Sequence, residues 1–295
     1  MGLRPVLETL PGGHELLRGR RGVLAVERTR SEELARAGFG ADGGEELAAS
    51  DLVGRAPLET IEARGERWIV RRYHHGGMLR ALGERCFLTP ARPFQELVLS
   101  TRLSAAGIRT PRVVAARALR SRPFGWRLAL VTARVEGAVD VSEMLVRLRD
   151  GELDSEKRAA LLRRVGELVG ALHSARFLHA DLTAANVLVD PELTTTWILD
   201  LDRGRLLPRL SDTERRDNLR RLYRFVRRRE ADARPVLFRG DYLRFLRAYE
   251  AARGVRGGWR DDWRAIVRRD RRRALWHRLG WRLERLLGLR PRKPL

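Results

Sequence analysis

The chain has 295 residues, 43% of them hydrophobic, so it is long enough for one large domain or two lobes with a sizeable core. Lysine and arginine number 60 against 38 acidic residues, and the net charge of +22 favours an anionic partner such as nucleic acid, an anionic membrane or a phosphorylated substrate. The single Cys86 excludes an internal disulfide. The sequence has no apolar run of about 18 residues, so no membrane-spanning helix is predicted. The N-terminal residues do not resemble a signal peptide, so we expect a cytoplasmic protein.

The first part of the chain predicts a small antiparallel sheet with one helix. Alternating polarity and a turn at Arg64-Gly65 indicate a strand pair, and an apolar stripe that includes Phe94 and Leu97 indicates a helix. The predicted elements are strands at 58–62, 68–73, 110–114 and 127–132 and a helix at 93–106.

After Gly137 the pattern becomes helical. Ser155 is a suitable N-cap for a helix whose apolar positions recur every three or four residues up to Ser174. A second helical pattern runs without a predicted break from Ser211 to Arg253. The predicted elements are helices at 155–174 and 211–253 and short strands at 187–189 and 197–199.

The segment His179–Asn186, together with Asp200 after an apolar strand, has the residues of a phosphotransferase. Asp181 is the candidate base for a substrate hydroxyl group, and His179 is expected to order the loop. Asn186 and Asp200 are hard oxygen donors of the kind that Mg²⁺ prefers. The alternative is a solvated loop in which Asp181 only caps a turn.

Asp202 competes with Asp200 as a metal ligand. Strand alternation places both carboxylates on one face, so both are candidates. Asp200 is preferred because it follows the apolar strand directly, whereas Asp202 has an alternative role in a salt bridge with Arg203 or Arg205.

A triphosphate also needs a cation, which in kinases is a strand lysine paired with a helix glutamate. No lysine precedes Lys157, so Arg71 is predicted to take that role with Glu96 as its partner. The alternative for Arg71 is an ordinary surface charge. A Gly-rich phosphate loop is nearly absent, and Gly54 alone stands before the first predicted strand.

These residues resemble the lipopolysaccharide core kinases, and most closely the 3-deoxy-D-manno-octulosonic acid (Kdo) kinases. The resemblance implies an α+β, two-lobed protein-kinase-like fold, with a small antiparallel-sheet N-lobe at 1–135 and a mainly helical C-lobe at 136–254. It also implies ATP and Mg²⁺ as cofactors and phosphorylation of Kdo on the lipid A precursor. The segments that carry it are Val70–Gly77, Arg92–Glu96, His179–Asn186 and Trp197–Gly204.

On this resemblance Asp181 is the catalytic base, and Asn186 and Asp200 hold the metal. Arg71 and Glu96 form the phosphate-binding pair, and Gly54 belongs to the nucleotide roof. The acceptor is Kdo-lipid A or a related acidic glycolipid.

The remaining residues, 255–295, form a basic tail with leucine and tryptophan at helical spacing. Such a helix is expected either to lie on an anionic membrane surface or to pack on the C-lobe. The full expectation is a peripheral kinase on the cytoplasmic face of the inner membrane, with no specific nucleic-acid partner. The alternatives are a small-molecule or protein phosphotransferase of the same fold, or a non-catalytic pseudokinase that binds anionic surfaces.

Overall fold

A computed structural model describes residues 3–44, 47–50, 58–63, 65–74, 86–121, 124–231 and 235–269. The chain divides into two compact units, Met1–Val139 with Leu188–Leu206, and Asp140–Val187 with Leu207–Leu295. The domain limits at residues 135 and 254 remain predictions. Gly54, residues 75–77 and the tail beyond residue 269 lie outside the described residues.

The first unit is built on a seven-stranded sheet in which every pair of neighbouring strands is antiparallel. The strand order is β1-β2-β6-β7-β5-β4-β3. The strands are β1 (His14–Arg18), β2 (Gly22–Glu27), β3 (Ala48–Ala49), β4 (Glu59–Ala63), β5 (Glu66–Arg72), β6 (Val113–Arg120) and β7 (Trp126–Ala133), and the helices are α1 (Leu3–Leu7), α2 (Ser31–Arg36) and α3 (Arg92–Ala105).

Both faces of this sheet are buried. On one face Phe94 and Leu97 of α3 pack against apolar side chains of β6 and β7. Leu34 of α2 and Phe39 cover the opposite face. Full burial of each such side chain stabilises the fold by about 1.5–3 kcal/mol. This packing holds strand β5 of the sheet and helix α3 in place, and both carry candidate site residues.

The predicted hairpin and helix of this unit are confirmed. Ala63 pairs with Glu66 across the turn, where Gly65 adopts a φ of 77°, a conformation that favours glycine. Two predictions were incomplete. Strands β1 and β2 were not predicted, and the strand predicted at 110–114 begins at Val113 and continues to Arg120.

The remaining elements are β8 (Val139–Asp140), α4 (Val141–Arg149), α5 (Ser155–Ser174), β9 (Phe177–Leu178), β10 (Val187–Val189), β11 (Thr196–Ile198), β12 (Arg205–Leu206), α6 (Asp212–Ala231) and α7 (Arg239–Ala252). Residues 259–269 are also helical. Helix α4 was not predicted, and the helical pattern predicted over 211–253 forms two helices, α6 and α7, rather than an unbroken one. Residues 235–238 are not helical, and Pro235 there lacks the amide proton that a continuing helix needs.

Helices α5 and α7 pack with their backbones unusually close together. A Cβ atom added to Gly166 would lie 2.5 Å from the carbonyl oxygen of Phe245, and one added to Gly170 would lie 2.5 Å from that of Tyr249. The two glycines, one helical turn apart, therefore permit the contact that fixes α5 and the loop that follows it.

Across the described ranges, none of the helices has both the length and the apolar character that crossing a membrane requires.

Candidate active site

The buried carboxylate of Glu96 connects three parts of the first unit. Its Oε2 atom accepts hydrogen bonds from Arg71 Nη2 and from the Tyr73 hydroxyl, each at 2.5 Å. Its Oε1 atom accepts a bond of 3.2 Å from the backbone N–H of Leu201. We call Arg71, Tyr73, Glu96 and Asp200 the Glu96 cluster, which joins β5, α3 and the loop after β11.

Asp200 is held in this cluster by a second ion pair of Arg71. Arg71 Nη1 lies 2.5 Å from Asp200 Oδ1, so one guanidinium bridges two carboxylates. Asp200 has a φ of 54°, in the left-handed region that few residues other than glycine, asparagine and aspartate adopt. Such strained backbone is concentrated at functional sites.

The cluster shifts the pKa values of its members. Burial raises the pKa of the Glu96 carboxyl, and the Arg71 cation and the Tyr73 hydroxyl oppose that rise. Burial would lower the pKa of Arg71, but the Glu96 and Asp200 carboxylates outweigh it and hold that pKa above its ordinary value. Burial also raises the pKa of Tyr73. Arg71 is therefore a fixed cation whose side chain is still 31% exposed.

Asp202 pairs with Arg92 rather than with the Arg203 or Arg205 considered from the sequence. Arg92 Nε lies 2.9 Å from Asp202 Oδ1, and its Nη2 atom contacts Oδ2, so both carboxylate oxygens face one guanidinium. The same guanidinium lies over the Tyr73 ring, 5.2 Å from its centroid. Asp202 is thereby engaged by a charge partner of its own.

In the second unit, local hydrogen bonds shape the loop that carries Asp181. His179 is buried, and its Nδ1 atom accepts a bond of 3.1 Å from the backbone N–H of Asp181. Asn186 Nδ2 donates to the backbone carbonyl of Asp181 at 2.8 Å. These two bonds fix the Asp181 backbone on both sides of its Cα atom, and its carboxylate remains partly exposed.

A series of buried hydrogen bonds through Asn218, His173 and Tyr249 supports this loop. Asn218 of α6 donates from Nδ2 to the His179 carbonyl at 2.7 Å, and its amide oxygen lies 3.1 Å from His173 Nε2. Because that oxygen is only an acceptor, His173 must carry its proton on Nε2, and its Nδ1 atom accepts from the Tyr249 hydroxyl at 2.9 Å. Burial lowers the pKa of His173 to about 4, so the imidazole is uncharged at physiological pH.

The structure thus brings together the predicted Arg71, Glu96 and Asp200 in the first unit, and His179, Asp181 and Asn186 in the second. Sequence reasoning gave no role to Tyr73, His173 and Asn218, which support these groups, or to Arg92, which pairs with the neighbouring Asp202. Tyr73 directly follows β5 and lies within the segment Val70–Gly77 that carries the family resemblance, which was the available signal for it.

A model of the lipopolysaccharide kinase (Kdo/WaaP) family matches residues 48–249. The 3-deoxy-D-manno-octulosonic acid kinase of Xanthomonas axonopodis pv. citri is 31% identical over 216 residues, which is 72% of this chain and 82% of the relative. The enzyme of that description from Xanthomonas oryzae pv. oryzae is 30% identical over 239 residues, 79% of this chain and 91% of the relative. That from Actinobacillus succinogenes is 29% identical over 199 residues, 65% of this chain and 79% of the relative. The matches confirm the resemblance inferred from the motifs.

Among solved structures, WaaP in complex with acyl carrier protein superimposes with a TM-score of 0.60 at 21% identity, over 88% of this chain and 98% of that one. This likeness concerns the fold, and it confirms the predicted protein-kinase-like class.

Proposed function

Because the chain belongs to the lipopolysaccharide kinase (Kdo/WaaP) family and is a phosphotransferase, we propose that it transfers the γ-phosphoryl group of ATP to a hydroxyl group of Kdo in the lipopolysaccharide inner core. The acceptor is Kdo-lipid A or a closely related acidic glycolipid. The observation that carries this proposal is the 29–31% identity with named Kdo kinases over most of their length.

Asp181 is proposed as the catalytic base. It accepts the proton of the Kdo hydroxyl as that oxygen bonds to the γ-phosphorus, while the bond from phosphorus to the β-phosphate oxygen breaks and ADP leaves. The bonds from Asp181 N–H to His179 and from Asn186 to the Asp181 carbonyl support this role, because they position the carboxylate through its backbone.

Arg71 is proposed to bind the phosphates of ATP. Its guanidinium is always protonated and presents a planar fork of donors that suits phosphate oxygens. The ion pair with buried Glu96 aligns the side chain on β5, as the helix glutamate does for a kinase lysine. Gly54, proposed for the nucleotide roof, lies outside the described residues.

Asn186 and Asp200 are proposed as magnesium ligands, and their chemistry fits. The amide nitrogen of Asn186 is used on the Asp181 carbonyl, so its amide oxygen is the atom suited to a cation. Within the described ranges no cluster of three or more histidine, cysteine, aspartate or glutamate residues forms a metal cage. Such a sparse donor set suits Mg²⁺, which keeps water and phosphate oxygens as ligands. When bound, Mg²⁺ would neutralise charge on the β- and γ-phosphates.

The enzyme is further proposed to act as a peripheral protein on the cytoplasmic face of the inner membrane. A net charge of +22 and an acceptor that is itself a membrane lipid support this placement. Salt-sensitive sedimentation with anionic vesicles, and its absence with neutral vesicles, is the expected result.

The decisive experiment combines purified enzyme, ATP, Mg²⁺ and Kdo-lipid A, and detects the added phosphate by mass spectrometry. Asp181→Asn should reduce the rate by about 10²–10⁴-fold, since it removes the base while keeping the side-chain size. Asp150→Asn, at an exposed carboxylate that pairs with Arg149, is the matched control and should retain full activity.

An aminoglycoside and a generic protein substrate complete the assay and should accept no phosphate. Preferential transfer to either would contradict the Kdo assignment, and full activity of Asp181→Asn would contradict the role of Asp181.

A further inference from the structure

Arg221 of α6 lies beside the proposed catalytic base. Its Nη1 atom is 3.4 Å from Asp181 Oδ1, and the two side chains are 53% and 30% exposed. We propose that Arg221 binds the carboxylate of the acidic acceptor sugar and so contributes to acceptor specificity. This inference rests on the proposed function and assigns one residue to one charged group of the acceptor.

The position of Arg221 follows from the packing of α6. Asn218, almost one turn earlier, donates to the His179 carbonyl, and Leu219 and Leu222 are buried. The backbone of α6 is therefore fixed against the loop of Asp181. From this fixed backbone the exposed side chain of Arg221 extends to the Asp181 carboxylate.

Neighbouring arginines on α6 have described partners elsewhere. Arg215 and Arg216 both pair with Asp262, and Arg220 lies 3.5 Å from Asp217. Arg221 instead contacts the Asp181 carboxylate.

The contact between Arg221 and Asp181 is loose enough to be exchanged. A distance of 3.4 Å between the nitrogen and oxygen atoms exceeds the usual hydrogen-bond range, and exposed ion pairs contribute little to stability. A ligand carboxylate that accepts two parallel N–H bonds from the planar guanidinium would be the stronger partner. Arg221 is therefore better suited to bind a ligand than to support the fold.

The two side chains together are complementary to a hydroxy acid. Asp181 accepts a hydrogen bond from a hydroxyl group, and Arg221 beside it donates to an anion. Kdo is such a molecule, because it is a polyhydroxy sugar acid. A neutral sugar would offer the guanidinium no second carboxylate to bind, so the pair should discriminate between charged and uncharged acceptors.

The test compares steady-state kinetics of the wild type with Arg221→Gln, Arg221→Lys and Arg228→Gln. Arg228 is an exposed arginine on the same helix, about two turns further on, and serves as the matched control. Arg221→Gln should raise the acceptor KM at least about tenfold and leave the KM for ATP unchanged. Arg221→Lys should lie between it and the wild type, because it keeps the charge and loses the fork. Arg228→Gln should stay within about twofold of the wild type.

A second acceptor, in which the Kdo carboxylate is converted to a carboxamide, identifies the group that Arg221 binds. The wild type should lose on this acceptor about the factor that Arg221→Gln loses on the natural one, and Arg221→Gln should lose no more. An equal further loss in Arg221→Gln would show that the carboxylate is bound elsewhere and would overturn the inference.

The wild-type reaction separates the two proposals. Normal phosphorylation of Kdo-lipid A by the wild type with an unchanged acceptor KM in Arg221→Gln would overturn the role of Arg221 alone. Absence of phosphorylation by the wild type would refute the proposed function and the inference with it.

Discussion

The Glu96 cluster and the loop of Asp181 hold their functional side chains in different ways. In the cluster, the Arg71 guanidinium contacts two carboxylates, and the buried Glu96 accepts bonds from three donors. In the loop, uncharged groups bind the backbone next to Asp181. Hydrogen bonds through the uncharged side chains of Asn218 and His173 support the loop. The proposed phosphate-binding cation, Arg71, benefits from being fixed by opposite charge, whereas the proposed base, Asp181, must keep its own carboxylate available for a proton.

The largest expected effect comes from breaking the charge pairing of the cluster. Arg71→Gln leaves Glu96 buried without its cation and should lower the free energy of unfolding by about 3–5 kcal/mol. Adding Glu96→Gln should restore part of that loss, so that the double variant is more stable than the sum of the single effects predicts.

Urea denaturation measures both variants. The matched control is Arg72→Gln on the same strand, whose pair with Glu59 is about a quarter exposed and should cost roughly 1 kcal/mol. Additive effects of Arg71→Gln and Glu96→Gln would show that the charges of the cluster are not coupled.

An acid titration tests whether the folded protein keeps His173, which supports the loop of Asp181, uncharged. The pKa of His173 is about 4 in the folded protein against 6.5 when unperturbed, so below pH 6.5 the unfolded state binds a proton that the folded state excludes. Stability should therefore fall as the pH decreases from about 6.5 to about 4, and this one group should account for roughly 3 kcal/mol.

His173→Gln removes the proton-binding group and should flatten this part of the profile, although it is less stable than the wild type at pH 7. The measurement is the free energy of unfolding of both proteins at several pH values. Parallel profiles for the two proteins would exclude His173 as the source.

The smallest expected effect is a change in the Mg²⁺ requirement, and it should distinguish Asp200 from Asp202. Asp200→Asn weakens a proposed magnesium ligand and should raise the Mg²⁺ concentration for half-maximal activity about tenfold, equivalent to about 1.4 kcal/mol. Asp202→Asn should leave it nearly unchanged, because Arg92 engages that carboxylate. Equal effects of the two substitutions on the Mg²⁺ requirement would contradict this distinction.

Local patterns predicted the part of the candidate site that is close in sequence. Asn186 was singled out by its spacing from Asp181, and five residues are enough to bring its amide to the Asp181 carbonyl. The association of Arg71 with Glu96 was inferred by analogy with kinases, since no spacing rule connects a strand residue to a helix residue 25 positions later.

The contacts that were not predicted connect distant parts of the chain. Arg92 and Asp202 are separated by 110 residues, and Asn218 lies 39 residues beyond His179. An arginine-rich sequence offers many equivalent partners for each carboxylate, so only the tertiary structure selects Arg92 over Arg203. In contrast, the break between α6 and α7 had a signal in the sequence, which was Pro235.

The use of Arg71 has a consequence for chemical proteomics. Acyl-phosphate derivatives of nucleotides label many kinases by acylating the primary amine of a lysine at the bound phosphates. Here the proposed phosphate-binding side chain is a guanidinium, which stays protonated and is a poor nucleophile. The chain has two lysines, Lys157 and Lys293, and Lys157 lies at the start of α5, away from the Glu96 cluster in sequence. Such reagents should therefore leave Arg71 unmodified even when the enzyme is active, so a lack of labelling would not show that the phosphate site is empty.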